Sequence, residues 1–147
     1  MAVLLGVALA SCADSSDPSA TSSSSDAASA LSGLSPTQRR AFVATDVTGF
    51  DWPDDTSLTL TYFGPDQVAM HGNCNDIGGQ LAWDGNTMRV DAFPITAAGC
   101  PAEAQALDDW LIDLLDSGPV VAWNSATLSM TATVRGQNVS LTFDDES

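Results

Sequence analysis

The chain contains no lysine, and only four arginines and one histidine stand against 19 acidic side chains, for a formal charge of −15. A surface so poor in cations is repelled by nucleic acid phosphates and by anionic membrane surfaces, which excludes a DNA- or RNA-binding role. Several chemical signatures are missing. There is no C-x-x-C pair, and with a single imidazole a zinc centre has few ligands to draw on. No G-x-S-x-G elbow is present for a hydrolase nucleophile, and no D-x-[DN]-x-[DN]-G loop for calcium. No apolar run reaches the roughly 20 residues that a membrane span requires.

What is present at the start is shorter. Met1-Ala2-Val3-Leu4-Leu5-Gly6-Val7-Ala8-Leu9-Ala10-Ser11 is an apolar run of signal-peptide length without a polar face. Leu9-Ala10-Ser11-Cys12 resembles the bacterial lipobox, in which the cysteine is acylated and becomes the mature N-terminus. Residues 1–11 are therefore expected to be a lipoprotein signal and Cys12 a lipidation site, two or more acyl chains sufficing for stable anchoring. No Lys or Arg precedes the run, where a signal normally begins with positive charge, so a start codon upstream of Met1 is expected. Residues 12–36, built of Ser, Ala, Asp, Thr, Pro and Gly, are too poor in apolar bulk to offset the entropy of ordering and are expected to form a tether. Its reach is roughly 25–30 Å. The expected location is the extracytoplasmic face of a cell membrane.

Residues 37–147 form the expected domain. Ser57-Leu58-Thr59-Leu60-Thr61-Tyr62-Phe63 alternates Leu58, Leu60 and Tyr62 against Thr59, Thr61 and Phe63, the pattern of a half-buried antiparallel strand. Residues 41–47, 67–72, 79–83, 87–91, 93–96, 120–123, 126–134 and 137–143 read as further strands, with turns at Gly64-Pro65-Asp66, Asp84-Gly85-Asn86 and Arg135-Gly136-Gln137. One helix is predicted from Pro101 to Asp116. Leu107, Trp110, Leu111, Leu114 and Leu115 form its apolar stripe, and Asp108, Asp109, Asp113 and Asp116 are assigned to the remaining surface. Pro101 suits its first position and Gly118-Pro119 stops it. Strands, one helix, then strands point to an α+β fold.

Two segments then resemble a known family. Gly72-Asn73-Cys74-Asn75-Asp76-Ile77-Gly78-Gly79 resembles the G-C-N-x-Y-x-G signature of the META domain, the family that includes the heat-shock protein HslJ. Ile95-Thr96-Ala97-Ala98-Gly99-Cys100 resembles its second signature, T-x-M-A-C. Asn73 is an insertion relative to the first pattern, and Ala-Gly replaces Met-Ala in the second. The resemblance spans about residues 41–143. It implies a small curved antiparallel sheet packed on one helix, in an envelope or secreted protein without an agreed enzymatic activity, linked by name with heat shock.

With Cys12 acylated, Cys74 and Cys100 remain as an even pair in an oxidising compartment, where a disulfide is expected. It closes a loop of about 25 residues, for ~3.5 kcal/mol in the chain-entropy model. That bridge consumes the thiols that a metal site built with His71 and Asp76 would need, so no metal and no cofactor are expected. Asn73, Asn75 and Asp76 form a candidate binding loop, weighed against a purely structural turn in which Asx side chains bond their own backbone. Trp52, Trp83, Trp110 and Trp123 are read as core. The expected function is that of a non-catalytic binding or structural module of the envelope, anchored by lipid, with a protein or small-ligand partner. The competing reading is a hydrolytic enzyme with a carboxylate site that the sequence does not locate.

Overall fold

A computed structural model describes residues 27–124 and 126–146. The expected signal, Cys12 and the greater part of the tether lie outside the described residues. The last part of the tether segment is a short helix, α1 (Ala27–Ser32), with Ala27 and Leu31 buried.

Nine strands follow: β1 (Arg39–Thr48), β2 (Thr59–Phe63), β3 (Gln67–His71), β4 (Asp76–Asp84), β5 (Thr87–Val90), β6 (Phe93–Pro94), β7 (Val120–Trp123), β8 (Thr127–Val134) and β9 (Gln137–Asp145), with helix α2 (Ala102–Asp116) between β6 and β7. Neighbouring strands run in the order β3-β2-β1-β9-β8-β7-β5-β4, and β4 pairs back onto β3. All pairs are antiparallel, so eight strands close into a barrel. β6 is a two-residue spur on β4, through Ile77–Pro94 and Gly78–Phe93.

This corrects the expected architecture. The sheet is a closed barrel, not an open curved sheet packed on a helix. The error lies in residues 76–80. Asp76-Ile77-Gly78-Gly79 has the composition of a turn, but the backbone runs through it as strand. Its first half pairs with β3 from His71↔Asp76 to Gln67↔Gln80, and its second half with β5 from Leu81↔Val90 to Asp84↔Thr87. One long strand thus bridges two hairpins that the sequence shows as separate. The seam between β5 and β7 is the narrowest, with one paired position, Thr87↔Val120, flanked by N–H donation from Met88 to the Pro119 carbonyl and from Val121 to that of Asn86, each 2.9 Å.

Period-two alternation fills the interior. Phe42, Leu60, Tyr62, Val68, Met70, Ile77, Met88, Val121, Leu128, Met130, Leu141 and Phe143 all lie inside, and an eight-stranded barrel is narrow enough for side chains to fill. Phe42 meets Tyr62 and Trp123 edge to face, at 6.0 and 5.9 Å between centroids. The Tyr62 hydroxyl donates to Met88 Sδ (3.3 Å), and burial pushes its phenol pKa well above the usual range.

Because the strands alternate in direction, the ends of β1, β3, β5 and β8 share one rim with the starts of β4, β7 and β9. Helix α2 lies across this rim, with Leu107, Trp110, Leu111, Leu114 and Leu115 buried. Phe50, just past β1, stacks on Trp110 at 4.1 Å, and Gly72, just past β3, passes under Trp52 and Leu111 so closely that a Cβ there would lie 2.5 Å from the Trp52 ring. α1 contacts β7, and the segment after it passes the β2–β3 turn, where Pro36 lies against Gly64. The two helices thus serve opposite rims.

Candidate functional site

Two features gather the residues singled out by sequence. The first is the rim under α2. Cys74, in the bend between β3 and β4, forms a disulfide with Cys100, just ahead of α2. Asn75 beside it is buried and all its amide atoms are used. Its Nδ2 donates to Asp108 Oδ2 (2.9 Å) and lies 3.0 Å from Cys100 Sγ. Its Oδ1 accepts from the Thr96 hydroxyl (3.0 Å) and the Ala98 N–H (2.9 Å). The Asp76 N–H donates to Thr96 Oγ1 (2.9 Å). Asn75 therefore ties the first cysteine segment, the second and α2 together, and its side chain faces into the protein. Asn73 is exposed.

Asp108 corrects the helix reading: it is fully buried, not on the wet face with Asp109 and Asp113. It sits with Ala104, Leu111 and Leu115 at the −4, +3 and +7 positions, all buried, so helical spacing alone places it at the flank of the apolar stripe. Its carboxylate accepts from the Asn75 side chain and from the Asn75 N–H (3.5 Å), and no arginine or histidine among the described residues pairs with it. His71 lies outside this cluster. Its Nδ1 is 3.0 Å from Asp76 Oδ1, both side chains about half exposed.

The second feature is a groove of about 630 Å³ on the outer barrel face. The register explains it. Thr61 and Ala69 lie side by side across β2 and β3, and these small residues make the floor. The next row on one side is Phe63 and Gln67, with Arg39 from β1 beside Phe63; on the other side it is Thr59, His71 and Asp76. Ile95, past the β6 spur, closes one flank. Phe63, Phe93 and Ile95 are 41 %, 54 % and 51 % exposed, three of the four large apolar side chains left in solvent among the described residues. They form one apolar lip along this groove and a smaller depression continuing from it. Arg39 lies over the Phe63 ring at 5.7 Å. The other three arginines are engaged with Asp145, Asp84 and Asp113. Of the expected site residues, the groove takes only Asp76.

No curated protein matches the chain. A protein solved by NMR superposes with a TM-score of 0.51 over 74 % of this chain and 90 % of its own length at 19 % identity, a likeness of fold alone. The profile of the META domain matches residues 35–146. Both cysteine signatures, the buried asparagine that joins them and the helix they border fall within that match, and the chain belongs to the META domain family.

Proposed function

We propose that this META domain is a non-catalytic binding module of the cell envelope, held at the extracytoplasmic membrane face by acylation of Cys12, with the outer groove as its contact surface. The groove carries the reading. Interior side chains fill the barrel, whereas Phe63, Phe93 and Ile95 remain in solvent around a floor of small residues, and contiguous exposed apolar surface of this kind marks interaction sites. Charge points the same way: in a molecule this acidic, the arginine left without an ion pair among the described residues stands at that groove. An occupant is a protein segment or a small ligand that presents apolar surface.

A photo-crosslinking residue placed at Phe63 or Ile95 of the lipidated chain in its native membrane should yield discrete adducts, and one at Thr133, on a different part of the barrel, should not. Adducts of equal yield at all three positions, or none, would remove the groove from the account. For the anchor, Cys12→Ala should abolish the lipid mass and shift the protein from the membrane to the soluble fraction; retention in the membrane would refute acylation as the tether.

The hydrolytic alternative has one observation in its favour, the His71–Asp76 pair lining the groove. A nucleophile must lie within hydrogen-bond reach of its base, and among the described residues no hydroxyl or thiol bonds to His71. Ester or peptide turnover that Asp76→Asn abolishes would establish the enzyme reading instead.

A further inference from the structure

The rim cluster has a chemistry that the oxidised form does not use. Cys74 Sγ, Cys100 Sγ and a carboxylate oxygen of Asp108 all lie within 4.8 Å of one another. Two observations make this more than proximity. Asp108 is fully buried, its Oδ2 turned toward Cys100 Sγ, and no arginine or histidine among the described residues pairs with it. Asn75 Nδ2 reaches both Asp108 Oδ2 and Cys100 Sγ, the kind of outer hydrogen bond that orients metal ligands. We propose that, with the Cys74–Cys100 bridge reduced, the domain holds a soft divalent cation of the Zn²⁺ class through the two thiolates and the Asp108 carboxylate. This inference is independent of the groove.

The geometry suits it. Tetrahedral zinc, with bonds of about 2.3 Å to sulfur and about 2.1 Å to oxygen, sets its ligand atoms roughly 3.5–3.8 Å apart. Asp108 Oδ2 is already 3.7 Å from Cys100 Sγ, so the main movement is the parting of the two sulfurs once their bond is gone. Both cysteines are partly exposed, which leaves a fourth position open to solvent. Thiolate and carboxylate on one small centre select zinc over calcium or magnesium, whose ligands are oxygens. The step balances. Each thiol gives up a proton as the cation binds. Oxidation of the two thiolates by a protein disulfide forms the Cys74–Cys100 bond, passes two electrons to that disulfide, which takes two protons from solvent to become a dithiol, and releases the cation. The newly made chain, before its bridge forms, is the state that binds.

The test uses the full chain carrying Cys12→Ala, so that Cys74 and Cys100 supply the only thiols. The protein is reduced, freed of reductant under argon and titrated with Co²⁺. The expected result is a thiolate-to-cobalt charge-transfer band that saturates at one ion per chain and disappears on adding Zn²⁺, with no band in the oxidised protein. Asp108→Asn should weaken Co²⁺ binding about tenfold or more with the β circular dichroism retained. Cys74→Ser should reduce the charge-transfer intensity per bound cobalt, a readout that does not depend on the Asp108 variant folding. A reduced chain that keeps its fold without the band, one that loses its fold, or cobalt binding indifferent to both substitutions would each overturn the proposal.

Discussion

Tyr62 is the only tyrosine of the chain and is fully buried. Its phenol is held neutral in the folded protein by desolvation, while in the unfolded chain it titrates near ~10. The folded pKa is raised, so the stability that this residue contributes is fully present below about pH 10 and is lost as pH rises above it toward the folded value. Urea midpoints should therefore fall on the alkaline side, and Tyr62→Phe should flatten that fall, at the cost of the bond to Met88. Phenolate absorbance should appear with unfolding and not before it. A smooth titration of the folded protein near pH 10 would contradict the burial. Tyr62 was legible in the sequence because strict alternation around it assigns it to the inner face. Asp108 was not, because a carboxylate on a helix is read as solvated. The facing Asn75, 33 residues away in sequence, donates to it and makes its burial tolerable.

At the level of elements, the local hairpins and the helix could be read from alternation and turn chemistry. β2 with β3, β4 with β5, and β8 with β9 each join across a short turn, and α2 starts one residue after the predicted Pro101 and ends at the predicted Asp116. The pairing of β1 with β9 joins distant residues, and no local pattern encodes it. The continuation of β4 through Gly78-Gly79 was hidden for the opposite reason: residues that usually mark a turn were chosen for close approach. A Cβ on Gly78 would lie 2.1 Å from the Val68 carbonyl oxygen and 2.7 Å from Ala69 Cα, backbone atoms of β3 that cannot move without opening the β3–β4 ladder. Gly78→Ala should therefore destabilise the domain by about 3 kcal/mol or more. Gly85→Ala, with open space around its Cβ but a φ of 58°, should cost only about 1 kcal/mol. Paired denaturant titrations would check the order, and equal losses would deny that Gly78 is set by strand contact.

For the whole molecule, the bridge joins the rim across a sequence separation of 26. Replacing both cysteines by serine should lower stability by about 3.5 kcal/mol in the chain-entropy model, read as a lower urea midpoint with the β circular dichroism preserved. A midpoint unchanged from that of the oxidised parent would mean that the rim is held by α2 and Asn75 alone. The candidate site was half legible at this scale. The cysteine pair and Asn75 stood out in the sequence, but the groove did not, since its walls come from four strands and a spur that only the closed register sets side by side. Closure also gives the molecule a polarity. β1 begins, and β9 finishes, at the rim served by α1, with Phe42 opposite Asp145, whereas Cys74, Cys100 and α2 occupy the far rim. A domain leashed from its leading segment would stand on the α1 end like a post, with its sulfur-bearing crown turned outward. The flank carrying Phe63 and Ile95 would face sideways, reachable by a neighbour on the same surface.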